Sequence, residues 1–314
     1  MTLILSDKQV EALIDMNEVV DCIEEAFRRQ GLGEVANTMR TRSRGYNSVL
    51  NVMHASLSYL GRSGLKAYMS SKAGTRFALM LFDSADSTPL AVMGADVVGR
   101  FRTGAASGVA TKHLFGKRSG TLAMFGSGRQ AITQVLAVSL VMAIEEVRVW
   151  SPNADHREAF ARRLTAIGIR ARAHDTPQKA MEGAQVGSSI TSSKEPFITG
   201  RMVKTVAHFN VCGGNVPEHS EITSDAVGSF GTVVVDDLPQ AKLEYGDLIQ
   251  AARAGTFRWE SALELCTVVA GKRVPKGRTL FKSGGAALED VAVASMLYDK
   301  ALRSGVAYPS VELV

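Results

Sequence analysis

Cysteine is scarce in this chain. Cys22, Cys212 and Cys266 are the only three in 314 residues, and no two share a CxxC or CxxxH spacing. Neither a disulfide framework nor a zinc site is signalled, and a reducing cytoplasm is the expected compartment. The histidines His54, His113, His156, His174 and His208 lack metal-ligand spacing too, so no metal is expected. Charge of one sign is not in excess: 36 Lys and Arg against 31 Asp and Glu give +5, scattered along the chain, which argues against a nucleic-acid partner. Long hydrophobic runs are missing as well. The longest, residues 131–144, is broken by Thr133, Gln134 and Ser139 and falls short of the ~20 residues of a membrane span. The first ten residues carry no basic flank or small-residue cleavage site and read as a strand start, and the chain is expected to be soluble. No internal repeat or low-complexity linker interrupts it.

What is present is apolar material for a packed core: 46% of residues are hydrophobic and 21% charged. The length suggests about two domains of ~150 residues each. Ser6 and Gln9 have capping-box spacing, and Val19, Val20, Ile23, Ala26 and Phe27 share one helical face that ends at Gly31. Residues 49–53, 65–69, 79–82 and 90–93 are short β-rich runs separated by turn residues, which predicts an antiparallel meander. From Thr121 the rhythm becomes strand, glycine turn, helix, strand, helix. Strands are predicted at 122–125, 147–150, 169–173, 186–191, 206–212 and 232–235, so this half reads as a parallel sheet covered by helices. Residues 288–302 have helical spacing and are expected to return to the first domain.

Gly126-Ser127-Gly128-Arg129-Gln130-Ala131 fits GxGxxA directly between an apolar strand and a helix. The first glycine permits the turn, the second lets a pyrophosphate reach the backbone, and Ala131 lets the helix pack closely on the sheet; the helix N-terminus then favours an anion. Dinucleotide binding is the expectation. The second strand ends at Trp150-Ser151-Pro152-Asn153 with no acid for the ribose hydroxyls, so Ser151, Asn153 and Arg157 lean the reading towards NADP(H), while Asp155 keeps NAD(H) open. Arg157 reads equally well as a solvated helix residue.

Arg40, Lys66 and Arg102 each stand in a largely apolar setting, at a strand approach, on a predicted strand and on a predicted helix. Buried cations are costly without anions, so together they can clamp a carboxylate; surface placement or structural ion pairing satisfies the same spacing.

Met39-Arg40-Thr41-Arg42, Gly64-Leu65-Lys66-Ala67-Tyr68, Arg102-Thr103-Gly104-Ala105-Ala106 with the glycine turn, and Phe281-Lys282-Ser283-Gly284 with Leu288-Glu289-Asp290 stand in this order. So arranged, the chain resembles the ornithine cyclodeaminase/mu-crystallin family over nearly its whole length. The resemblance implies a homodimer of α/β class, with a Rossmann-type parallel-sheet domain inserted in an α+β substrate-binding and dimerisation domain. The boundaries expected are 1–117 and 285–314 for the substrate domain and 118–284 for the NAD(P)-binding domain. It further implies that Arg40 and Arg102 bind a substrate carboxylate and that Lys66 lies beside it and the reacting nitrogen. Thr103 would approach the pyrophosphate, joining Gly126, Ser127, Gly128, Arg129 and Gln130, with Thr191 and Ser283 on the nicotinamide side or in ordinary loop hydrogen bonds.

One departure bears on the reaction. Cyclodeaminases and the related alanine dehydrogenases carry an aspartate after the Gly-Gly or Gly-Ala that follows the fifth strand, where this chain has Cys212-Gly213-Gly214-Asn215. An amide cannot accept a proton as a carboxylate can, and reducing a preformed imine demands less of that position than cyclodeamination does. Asn215 also reads as a turn residue; Glu218, His219 and Glu221 are other bases with no sign of pointing inward. The reading is an NAD(P)H-dependent reductase of a small 2-imino acid, or the reverse amino-acid dehydrogenase, with Lys66 and Asn215 as catalytic positions. An ornithine-type cyclodeaminase and a non-catalytic mu-crystallin-like binder are the alternatives.

Overall fold

The computed structural model describes residues 1–116 and 119–313. The chain forms two compact units: Met1–Arg102 together with the chain from Gly285 onward, and Thr103–Gly284. The first unit opens with β1 (Thr2–Leu5), α1 (Asp7–Leu13) and α2 (Met16–Gly31). Ser6 caps α1 through the expected capping box, and Asp15 caps α2 by accepting from Asn17 N and Glu18 N. Five strands follow before the last of this part: β2 (Val35–Asn37), β3 (Thr41–Arg44), β4 (Ser48–Leu57), β5 (Arg62–Ser71) and β6 (Gly74–Asp83), then β7 (Pro89–Gly94). β4 to β7 pair antiparallel in sequence order, the predicted meander, with strands longer than the apolar runs because polar residues alternate onto the outer face. Lys66 on β5 lies in register with Met53 and Leu79. α3 (Asp96–Phe115) leaves this sheet.

The expected boundary at 117/118 falls on residues outside those described. The compact units instead divide inside α3, after Arg102. Packing explains why: a Cβ on Gly104 would lie 2.3 Å from Thr133 O and one on Gly108 2.9 Å from Ala137 O, so this stretch of α3 is pressed onto the first helix of the second unit.

That unit contains β8 (Ser119–Phe125), α4 (Ala131–Val141), β9 (Ala143–Trp150), α5 (Ala154–Ala166), β10 (Ala171–Ala173), α6 (Pro177–Met181), β11 (Val186–Ser189) and β12 (His208–Val211). It continues with α7 (Ser224–Gly228), β13 (Thr232–Val235), α8 (Leu238–Glu244), α9 (Gly246–Arg253), β14 (Leu263–Glu264), α10 (Leu265–Val269) and β15 (Thr279–Lys282). The strand order is β10-β9-β8-β11-β12-β15-β13-β14, all parallel. Alternate residues of β8 bury into two cores. Leu122 and Met124 pack with α4 and α5, while Ala123 and Phe125 pack with Phe209, Val211 and Leu280. The order reverses between β8 and β11, the switch point at which open α/β sheets bind ligands at their carboxyl edge. β15 was not foreseen as a strand, yet it lies between β12 and β13.

The chain then returns to the first unit as α11 (Ala287–Arg303) and β16 (Ser310–Val311). α11 packs on β4, β5 and α2, and residues 287–295 are all buried. Among the described residues no helix is long and apolar enough to cross a membrane.

Candidate active site

In the second unit, the turn after β8 is held by sheet geometry. Gly126 has φ +106°, and a Cβ there would lie 2.6 Å from Ile190 O, so only glycine fits. Gly128 faces open space, with nothing within 4 Å of its would-be Cβ. Ala131 is buried where α4 begins, and its N–H donates to Gly128 O at 3.0 Å, so the glycine turn closes directly onto the N-terminus of α4, whose positive dipole end favours an anion. A 620 Å³ cleft opens here. Gly126, Ser127, Gly128, Arg129, Gln130, Ser151, Asn153 and Thr191 line it, and Ser127 and Ser151 share a 2.8 Å hydroxyl contact. These features fit a dinucleotide: a glycine cradle open to the pyrophosphate, a helix N-terminus facing it, and no strand-end carboxylate to repel a 2′-phosphate.

Arg157 is not among the lining residues. Its guanidinium donates to Ser151 O at 3.2 Å and to Asp175 at 3.1 Å, which braces the loop after β9. Asn153 accepts from His156 N and caps α5. The sequence reading missed His156 and the apolar wall formed by Trp150 and Phe197, whose ring centroids are 5.1 Å apart. Phe197 stands in a loop, where no periodicity marks it, and Trp150 closes β9 at a position that reads as an ordinary strand end.

Thr103 is buried, and its carbonyl accepts from Gln134 Nε2. Thr191 N donates to Glu221 Oε1 at 2.7 Å, and Gly213 N to Glu221 Oε2 at 2.7 Å. Glu221 therefore ties together the loops after β11 and β12; burial raises its pKa against the pull of Lys282. The loop carrying half-buried Asn215 is held from below, because Lys282 Nζ donates to Gly213 O and Gly214 O and pairs with Asp247 at 2.8 Å. Ser283 donates to Asp236 Oδ2, as does Gly284 N. Glu218 is exposed on the same loop.

In the first unit Arg40, Lys66 and Arg102 are all buried, at 7%, 2% and 8% exposure, so surface placement is ruled out for each. Lys66 Nζ lies 2.5 Å from Asp290 Oδ2, Arg102 Nε lies 3.2 Å from Asp290 Oδ1, and Arg102 Nη1 lies 3.0 Å from Glu289 Oε2. Arg40 Nη2 donates to Gly285 O. Burial drives the Lys66 pKa down to about 8, with Asp290 opposing and Arg102 and Arg40 assisting. Burial alone would raise Asp290, but Arg102 and Lys66 outweigh it and hold the carboxyl below its usual range. Glu289 and Asp290 had no assigned role in the sequence; two adjacent acids inside the apolar run of α11 were the available signal.

Gly285 is shaped around Arg102. Its φ is +84°, and a Cβ would lie 2.1 Å from Arg102 Nη1. Gly285→Ala is expected to displace the guanidinium and raise the KM of a carboxylate substrate at least tenfold with little change in cofactor affinity. Steady-state kinetics checks this, and an unchanged KM would show that the Arg102 guanidinium does not meet the substrate carboxylate.

The model of the Ornithine cyclodeaminase/mu-crystallin family matches residues 1–305. The chain is similar to an alanine dehydrogenase of Archaeoglobus fulgidus, 33% identical with 97% of each chain covered. It is similar in structure to the Thermococcus litoralis Delta(1)-pyrroline-2-carboxylate reductase in complex with NADH and L-proline, with TM-score 0.91 and 30% identity over 99% of this chain and 100% of that one. An archaeal alanine dehydrogenase dimer with bound NAD gives TM-score 0.90 at 30% identity, covering 100% and 99%. A Rossmann-type unit inserted in an α+β unit, with buried cations on the latter, defines the class. The chain belongs to the ornithine cyclodeaminase/mu-crystallin family.

Proposed function

We propose that the protein is an NAD(P)H-dependent reductase of a small 2-imino acid of the pyrroline-2-carboxylate or ketimine type, able to run in reverse as an amino-acid dehydrogenase. The observation that carries this is the buried arrangement of Lys66 and Arg102 on one carboxylate. A 2-imino acid has a C=N carbon bonded directly to a carboxylate, and it calls for an anion-binding fork beside a proton donor. Arg102 and Arg40 bind the carboxylate. Lys66, with a pKa of about 8, gives its proton to the nitrogen as the C=N carbon is reduced. Reduced nicotinamide, when bound, supplies the hydride; residues 126–131 with Ser151 and Thr191 would hold it, and Thr103 and Ser283 remain assigned to its pyrophosphate and nicotinamide sides.

Ser151 in place of a strand-end acid, with Arg129 and His156 lining the same cleft, supports NADP(H) over NAD(H). Arg157 supports this only indirectly, through the loop it braces. We extend to this chain the dimeric state of the archaeal alanine dehydrogenase. A reducing cytoplasm fits its three free cysteines.

Asn215 disfavours ornithine-type cyclodeamination, and Glu221 does not replace the missing base, because its carboxylate already accepts from Thr191 N and Gly213 N. The burial of Arg40, Lys66 and Arg102 disfavours a silent binder. The test follows nicotinamide absorbance with pyrroline-2-carboxylate and each cofactor, and proline formation from ornithine. Imine-dependent cofactor oxidation and little proline are expected. Proline and ammonia at ordinary enzymatic rates would overturn the assignment of Asn215, and a tenfold preference for NADH, ~1.4 kcal/mol at the ribose, would overturn the cofactor preference.

A further inference from the structure

Lys66 and Arg102 sit on different elements, β5 and α3, and both have long, rotatable side chains. What joins them is a short one. Asp290 splits its oxygens between them, Oδ2 to Lys66 at 2.5 Å and Oδ1 to Arg102 at 3.2 Å, and is itself completely buried. Its helix is anchored at the same end: Leu288 N donates to Asn37 Oδ1, and Ala286 N donates to Glu289 Oε1, whose carboxylate also holds Arg102. A carboxylate with two χ angles on a pinned, buried turn has little freedom.

We propose that Asp290 is the positioning residue of this site, fixing the Lys66 proton donor and the Arg102 guanidinium at one spacing and keeping the proton on Lys66. The proposal rests on the imine-reductase reading above. That reading needs the spacing, because the substrate's nitrogen and carboxylate are joined through a single carbon atom, and a donor or fork that wanders by an ångström loses much of its rate. Proton retention follows from the groups facing Nζ: Asp290 from α11, Arg102 from α3, and Arg40 from the segment before β3. Of these, both arginines repel a proton on Lys66, and Asp290 holds it there.

The test is the pH profile of kcat for imine reduction in the intact protein, with the NAD(P)H dissociation constant measured in parallel. Asp290→Asn is expected to move the alkaline limb of kcat down by at least one pH unit and to lower kcat at pH 8 by more than tenfold, leaving cofactor affinity within twofold. Asp290→Glu keeps the charge but shifts the oxygens, so its limb should stay near that of the parent while kcat falls about tenfold. A folded Asp290→Asn protein with an unshifted limb overturns the proposal. Should that variant not fold, Asp290→Glu decides: parental kcat overturns it. Lys66→Ala separates the two levels. If Lys66→Ala is inactive while Asp290→Asn behaves as the parent, only Asp290's role fails; if Lys66→Ala is fully active, the reading beneath it fails.

Discussion

Lys66→Ala is expected to cut turnover of the imino acid by about 10²–10⁴-fold, the range for loss of a positioned general acid, while NAD(P)H titrates with nearly the parental dissociation constant. The cofactor turn lies in the second unit and Lys66 in the first, so the substitution removes nothing that the cleft at residues 126–131 uses. Misfolding is not the expected route to inactivity. Asp290 keeps its bond to Arg102 when the ammonium is gone, so no buried carboxylate is left without a cation. The pH dependence supplies a second check with a defined sign. Imine reduction needs Lys66 protonated, so its rate should fall as pH rises through about 8; amino-acid oxidation needs the free amine, so its rate should rise over the same interval. A folded Lys66→Ala protein with full activity, or two directions sharing one pH profile, would remove the proposed chemistry.

The features legible in the sequence were those encoded within a few residues. The capping box at Ser6, the amphipathic face of α2, the glycine turn and the meander each depend on short-range spacing, and each appears in the fold. Less legible were the partners of buried charges. Lys282 hid β15, because a lysine at a strand end gives no sign of being completely buried; its partners Asp247, Gly213 and Gly214 lie 35 to 69 residues away. Arg157 reads from the sequence either as a neighbour of a 2′-phosphate or as a solvated helix residue, and its partners, Asp175, 18 residues on, and Ser151 O, carry no local signal. The three first-unit cations posed the same difficulty in sharper form. Spacing left carboxylate clamp and structural ion pair as competing descriptions; the structure makes Lys66 and Arg102 members of ion pairs, and the proposed function gives the same Arg102 guanidinium a substrate carboxylate to hold as well.

That double role sets the expectation for Arg102→Ala, which should lose both substrate affinity and stability. Its guanidinium bonds two carboxylates that are completely buried, and removing one partner of a buried ionic cluster typically costs about 3–5 kcal/mol. Lys66 still neutralises Asp290, so the lower end of that range is expected. Loss of a charge-assisted, fork-like contact to a substrate carboxylate costs a further ~2–5 kcal/mol in binding, which is well over tenfold in KM. Stability and affinity can be separated because they depend on different properties of the side chain. Arg102→Lys restores the charge next to Glu289 and Asp290 but cannot present two parallel N–H groups, so its melting temperature should recover most of the loss while KM stays high. Melting curves and steady-state kinetics on the three proteins read the two effects independently. If Arg102 were only structural, the folded fraction of Arg102→Ala would keep the parental KM, and Arg102→Lys would be normal in both measurements; that pattern would leave Arg40 as the carboxylate-binding arginine.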